Sequence, residues 1–125
     1  MKIRDCSFAD IQHFASRAAK ERVSITDTRD TRWHAAYDEA GNIVGCGAVM
    51  FTRQTARLKA YFIEPSMRGS GLGSALVQKG IDTALDNPAI NTIEVFSVNP
   101  KFFLAKGFTR LKDIRDGVTH LIKRA

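Results

Sequence analysis

The sequence predicts an α/β (α+β) fold: a single mixed, mostly antiparallel sheet with helices on both faces. Three observations carry this. Strand-like and helix-like hydrophobic patterns alternate along all 125 residues, a length that suits one domain. Three strand signals follow one another between positions 33 and 63 with only short turns between them, as in an antiparallel meander. The strongest helix pattern lies between two strand patterns, which implies a crossover to a parallel pair.

The elements follow in order. Lys2–Arg4 begins a short strand. Ser7 precedes a helix pattern, with Asp10 three residues on as a capping-box variant. Phe8, Ile11, Phe14, Ala15, Ala18 and Ala19 share one face of it, and Gln12, Arg17 and Lys20 the other. Positions 21–31 (ERVSITDTRDT) are polar and read as a loop or one poor helical turn. Trp33–Asp38 and Ile43–Phe51 are strands joined by a Glu39-Ala40-Gly41-Asn42 turn, and Ala56–Ile63 is a third strand. Gly45 and Gly47 within the second strand point to a bulge or a close approach. Leu72, Leu76, Val77, Ile81, Ala84 and Leu85 give the next helix a broad apolar face, and Asn87-Pro88 stops it. Thr92–Val98 is a strand. Asn99-Pro100 opens a short helix to Lys106, capped by Gly107. Phe108–Lys112 and Val118–Lys123 close the chain as a hairpin around Arg115-Asp116-Gly117. The order is β-α-βββ-α-β-α-ββ.

Composition narrows the function classes. With 44% hydrophobic and 26% charged residues the chain reads as a soluble globular protein, which excludes a disordered tail, a collagenous repeat and a disulfide scaffold. No run approaches the about 20 apolar residues that span a membrane, and Met1-Lys2-Ile3-Arg4-Asp5 leads into no apolar leader segment. The expected compartment is the cytoplasm. Cys6 and Cys46 form no CxxC pair and read as reduced thiols in or near the core. No His/Cys cluster has ligand spacing, so no metal is expected. The net charge of +6 favours an anionic partner. The basic residues are scattered and no aromatic-basic run of the RNA-binding type occurs, so the sequence predicts no nucleic-acid partner.

The main chemical signal is a strand, Pro65, then Met67-Arg68-Gly69-Ser70-Gly71-Leu72-Gly73 running into a helix. The first-turn N–H groups of such a helix lack internal acceptors, and its dipole adds partial positive charge. Glycines let an anion approach these amides, and Arg68 adds a cation with a forked donor edge, so the segment reads as a phosphate or pyrophosphate cradle. A turn that merely admits a close helix is the alternative. The spacing is not Gly-x-Gly-x-x-Gly, and no Gly-Lys-Ser/Thr follows, which removes the dinucleotide-fold and P-loop readings.

Taken with Asn99 and the Phe102-Phe103-Leu104-Ala105-Lys106-Gly107-Phe108 segment about 30 residues later, this stretch resembles the Gcn5-related N-acetyltransferase (GNAT) superfamily. Arg68, Gly71 and Gly73 match its Arg/Gln-x-x-Gly-x-Gly/Ala signature, and Phe102–Phe108 is similar to its Phe-Tyr-x-x-x-Gly-Phe segment. The likeness covers residues 43–123 in motif and the first 40 in element order. It implies that acetyl-CoA lies between the strands 56–63 and 92–98, with Tyr61, Phe62 and Ile63 beside the pantetheine arm. Arg68, Gly69, Ser70, Gly71, Leu72 and Gly73 would lie on the pyrophosphate, and Asn99 and Phe103 near the arm.

The reaction so implied is direct attack by an amine within a ternary complex. A backbone N–H would polarise the acetyl carbonyl, a Glu on the fourth strand would serve as base, and a Tyr in the last helix as acid. Those last two positions are occupied by Arg57 and Phe103. Either the substitutions are tolerated, or the acceptor has changed, or activity is lost and the chain is a binding module. Tyr61, Ser97 and Glu64 are the polar groups nearest for proton transfer. Arg57 and Lys59 share a strand face and would repel a bare ammonium, yet suit an acceptor with a carboxylate or phosphate beside its amine. Asp27 and Asp30 lie in the 21–31 segment, which reads as a solvated loop. His13, His34 and His120 are expected at the surface or a strand edge, and Trp33 and Tyr37 in the core or at its rim. The partner is a small-molecule or peptide amine. The chain is a monomer or a homodimer, Val118, Leu121 and Ile122 offering a dimer face.

Overall fold

The computed structural model describes residues 2–125; Met1 lies outside the described residues. Seven strands form one sheet in the order β1-β2-β3-β4-β5-β7-β6. They are β1 (Lys2–Cys6), β2 (Thr31–Tyr37), β3 (Ile43–Thr52), β4 (Thr55–Ile63), β5 (Thr92–Ser97), β6 (Thr109–Asp113) and β7 (Thr119–Arg124). β4 and β5 pair in parallel and every other neighbour is antiparallel. Helices α1 (Phe8–Ile11) and α2 (Ala15–Lys20) cover one face, and α3 (Leu72–Leu85) and α4 (Pro100–Leu104) the other.

The mixed sheet, the meander and the crossover match expectation. The first helix differs: a 3-10 turn at Gln12–Phe14 separates α1 from α2. The turn rotates α2 relative to α1, so Ile11, Phe14 and Ala18 stay buried while Ala19, expected on the apolar face, is exposed. Ser7 caps α1 as expected, its N–H donating to the Asp10 carboxylate at 3.0 Å. α2 ends in a Schellman motif, with Arg22 N–H on Ala19 O at 3.0 Å and Val23 N–H on Ala18 O at 2.9 Å. This puts Arg22 at φ 65°, a left-handed conformation usually left to glycine.

Two cores flank the sheet. On the α3 side Val77, Ile81 and Ala84 pack on Val49, Leu58, Ile93, Val95 and Leu121. Each large aliphatic side chain buried there contributes about 1.5–3 kcal/mol. Leu121, expected on a dimer face, is fully buried in this core. On the α1/α2 side Ile11, Phe14 and Ala18 pack on Trp33, Ala35, Cys46, Ala48 and Phe62. Cys6 and Cys46 are free thiols, and burial pushes Cys46 up to about 12, which leaves it unreactive. His34 departs from expectation: it is buried under the α3 side of the sheet, its Nδ1 3.1 Å from Asp5 Oδ1. No described helix is long and apolar enough to cross a membrane.

Candidate active site

The site begins with a break in the sheet. β4 and β5 pair only from Thr55–Thr92 to Leu58–Val95. Beyond Leu58 the strands part, so Lys59–Ile63 has no strand partner on the β5 side. A bulge lies where the strands part. β3 pairs Ala48 with Lys59 and Cys46 with Phe62, so Gly47 alone faces Ala60 and Tyr61. Ala60 sits at φ 64° within the bulge. Gly47 is the close approach read from the sequence: the Tyr61 ring occupies the space that a Cβ there would need.

A cleft of about 590 Å³ opens at this gap. Its floor is Met50, Arg57 and Lys59; Phe96, Ser97 and Val98 form one wall, and Arg22, Val23, Ser24, Thr26 and Thr28 of the 21–31 segment the other. That segment has no regular helix. Lys59 Nζ donates to Thr26 O at 3.0 Å, and Trp33 Nε1 to Asp27 Oδ1 at 2.8 Å, so Asp27 anchors Trp33 instead of facing an acceptor. Trp33 itself is buried in the core.

Among the described residues the cleft lining holds three cationic residues and no carboxylate. Arg57 Nε donates to Glu94 Oε2 at 3.0 Å, and Glu94 Oε1 is 3.0 Å from His120 Nε2. The Arg57 guanidinium lies 4.6 Å above the Phe96 ring, which stacks on His120 at 4.2 Å. Burial holds the Lys59 ammonium below its ordinary pKa, and neighbouring Arg57 adds to this while Asp27 opposes it.

At the other end of the gap, Gly69 and Gly71 take φ 81° and 85°, and Gly71 is the N-cap of α3 with no side-chain cap. A Cβ on Gly69, Gly71 or Gly73 would meet no atom within 4 Å, so open space lies over the bare first-turn amides. An anion fits there. Arg68 is less free than expected: its Nε donates to Ile63 O at 2.9 Å, and one terminal nitrogen bridges both oxygens of Glu21 at 2.9 Å. It ties the cradle to the end of α2. The cation that sequence reasoning missed is Lys106, whose Nζ donates to Ser74 Oγ in the first turn of α3 at 2.5 Å. It lies in the recognised 102–108 segment, but only the fold brings it to this helix terminus.

The proton-transfer candidates separate. The Tyr61 hydroxyl is buried against Gly80 and Leu58 with no hydrogen-bond partner among the described residues, and burial raises its pKa well above that of an ordinary phenol. Its side chain is therefore withdrawn from proton transfer; its backbone remains beside the gap. Glu64 is paired with Arg17 through both oxygens, and that pairing lowers its pKa, leaving a weak base. Ser97 lines the cleft, its Oγ accepting the Asn99 N–H at 2.9 Å. Asn99 itself is the exposed N-cap of α4, outside the cleft lining. Phe103 is buried and lines the cleft, packed edge-on against Phe102 and Phe108 at 5.1 and 5.5 Å. Of the remaining cofactor candidates, Phe62 is buried in the α1/α2 core and Ser70 donates to Met67 O at 2.6 Å within the cradle.

The profile of the Acetyltransferase (GNAT) family matches residues 3–110. The chain belongs to the GNAT family. Members of this family use acetyl-CoA. The GNAT chain is 27% identical over 95 residues to an amino-acid acetyltransferase of Mycobacterium tuberculosis, an alignment covering 74% of this chain and 54% of that one. It thus spans about half the length of that curated relative. Among solved structures, N-acetylglutamate synthase from Neisseria gonorrhoeae, complexed with coenzyme A and N-acetyl-glutamate, superposes with a TM-score of 0.78 at 17% identity, over 98% of this chain and 34% of that one. A Mycobacterium tuberculosis protein in complex with CoA gives 0.80 at 15% identity, over 100% of this chain and 99% of that one. At these identities the two structures show the shared GNAT fold.

Proposed function

We propose that the chain is an acetyl-CoA-dependent N-acetyltransferase in which an amine attacks directly within a ternary complex. The observation that carries this reading is the β4–β5 gap, which opens on a cleft large enough for an acceptor and whose far end, at Ile63, is tied by Arg68 to the amide cradle. The cofactor supplies an activated acetyl thioester when bound. The amides of Gly71–Ser74, with Lys106 beside them, hold its pyrophosphate. The edge of Tyr61–Ile63 that faces away from β3 would line its arm, and a backbone N–H on that edge would be placed as a preorganised donor toward the acetyl carbonyl. The cleft walls orient the amine, and orientation of two bound reactants supplies much of the acceleration. Ser97 is the hydroxyl at the mouth of the gap through which a water-relayed proton would pass. Residues 1–125 act in this reading as one acyl-CoA-binding domain, cytoplasmic, monomeric or homodimeric. The acceptor is a small molecule or peptide; the curated relative's name supports an amino acid.

A second reading is favoured by Arg57 and Phe103: a CoA-binding module without turnover. Among the described residues no carboxylate lines the cleft to act as a base, and Phe103 has no acidic proton. Titration calorimetry with acetyl-CoA and a CoA-release assay over an amine panel separate the two. Micromolar binding with amine-dependent release supports the enzyme; binding with release no faster than the amine-free control supports the module. No binding at high micromolar acetyl-CoA removes both.

A further inference from the structure

We infer that the acceptor carries a carboxylate beside its amine, and that Arg57 and Lys59 hold this carboxylate at the mouth of the β4–β5 gap. The inference rests on the reading of the cleft as the acceptor site. Among the described residues the cleft lining presents Arg22, Arg57 and Lys59 and no carboxylate; Glu94 pairs with Arg57 from outside the lining, and two cations remain to disfavour a simple ammonium and suit an anion. Arg57 is built for the task. Glu94 takes its Nε, and Phe96 supports the plane of its guanidinium. Its terminal nitrogens have no protein acceptor among the described residues, so one donor edge is held ready for a planar carboxylate. Glu94 is fixed in turn by His120, and His120 by stacking on Phe96, which keeps the four side chains in one arrangement.

Position narrows the acceptor. Arg57 and Lys59 are two residues apart on one face of β4, and Lys59 directly precedes the bulged Ala60 where the strands part. Lys59 Nζ rests on Thr26 O and Arg57 on Glu94 and Phe96, so both cations line the cleft where the gap opens. A carboxylate taken up there beside an amine that faces the gap is the pattern of an α-amino acid. A phosphate monoester shares the charge and also suits a forked guanidinium, so phosphoethanolamine is the arm that separates the two chemistries.

The test uses matched pairs: L-alanine, L-leucine and L-glutamate, each against its α-amide, with phosphoethanolamine as a further arm, in the CoA-release assay. The expected result is a kcat/KM at least tenfold higher for the free acids, expressed mainly in KM. Arg57→Met and Lys59→Met should each cut that preference to below threefold, with Arg57→Lys restoring part of it. Acids and amides turned over equally, a preference untouched in both variants, or phosphoethanolamine favoured over every acid would each overturn it. Where no amine is turned over, calorimetry of N-acetyl-L-alanine against N-acetyl-L-alanine amide on the CoA-loaded protein decides. Tenfold tighter binding of the acid upholds the inference while the transferase reading fails. Equal binding, or none, overturns it.

Discussion

The ring of Tyr61 stands where a side chain at Gly47 would have to be, so the bulge where the sheet opens and the glycine opposite it are one device. The same ring ends at α3: a Cβ on Gly80 would come within 2.7 Å of the Tyr61 hydroxyl. Tyr61 thus reaches from the gap to the helix above it between two positions without side chains. Gly47→Ala and Gly80→Ala should each destabilise the protein by about 1–3 kcal/mol, as overpacking does. Gly47→Ala should also weaken acetyl-CoA binding, because the ring can yield only by shifting the bulge. Urea unfolding and calorimetry check both; a Gly47→Ala protein as stable as the parent would remove the argument.

The Tyr61 hydroxyl is buried with no hydrogen-bond partner among the described residues. An orphaned hydroxyl carries its desolvation cost without a compensating bond, so Tyr61→Phe should raise stability by about 1 kcal/mol. Thermal melts read this directly. A loss of similar size would reveal a polar partner, such as an enclosed water.

Gly73 is helical, and a Cβ there enters open space. Gly73→Glu therefore adds no clash and places a carboxylate over the cradle amides. Affinity for CoA should fall more than tenfold with little change in melting temperature. Gly71→Glu should do the same but cost stability, since Gly71 sits at φ 85°. Undiminished CoA affinity in Gly73→Glu would move the pyrophosphate elsewhere.

Arg22 is held in the left-handed region by the Schellman motif while its side chain lines the cleft. That conformation costs a non-glycine residue about 1–2 kcal/mol, of which glycine's extra freedom in the unfolded chain would take back about 0.4–1. Arg22→Gly should stabilise the fold by about 0.5–1 kcal/mol and raise KM for acidic acceptors. A variant that is more stable with unchanged KM would show that Arg22 has no part in binding.

Burial lowers the pKa of His34, and its bond to Asp5 only partly opposes this. The folded state therefore holds His34 neutral, while the unfolded chain takes up a proton near the ordinary value of about 6.5. Below that pH the unfolded state binds more protons, so stability is full above it and declines as the pH falls. Asp5, its pKa lowered in the folded state, adds a further loss only below the ordinary carboxylate range of about 3.9. Urea midpoints from pH 8 to 5 should show the His34 decline, and His34→Gln should flatten it. An unaltered slope in that variant would assign the loss to other groups.

Much of the site was legible in sequence because its signals are local. Three glycines between a proline and an amphipathic helix specify bare amides whatever the rest of the chain does. Gly47, an unexplained gap in a strand, marked the bulge. The first helix was misread because periodicity alone does not register a 3-10 turn, and one turn of different pitch moved Ala19 to solvent. His34 was misplaced because a lone histidine in a strand has no local sign of which face it occupies. Lys106 was passed over because its partner, Ser74, lies 32 residues away in sequence.

By itself the sequence determined the element order and the glycine-rich turn into α3, and its resemblance to the GNAT family marked Arg57 and Phe103 as standing where a Glu and a Tyr are usual. The first two come from hydrophobic period and glycine placement, which need no knowledge of distant neighbours. Only the tertiary structure decided what the cations do. Arg57 meets Glu94 across 37 residues of chain and Arg68 meets Glu21 across 47. Both read alike as free arginines in sequence. Strand register leaves Arg57 lining the cleft beside Glu94, while the packing of α2 against the end of β4 turns Arg68 into a structural tie. Pairing of this kind depends on register, bulge and helix docking together, and none of these is written in any single stretch of residues.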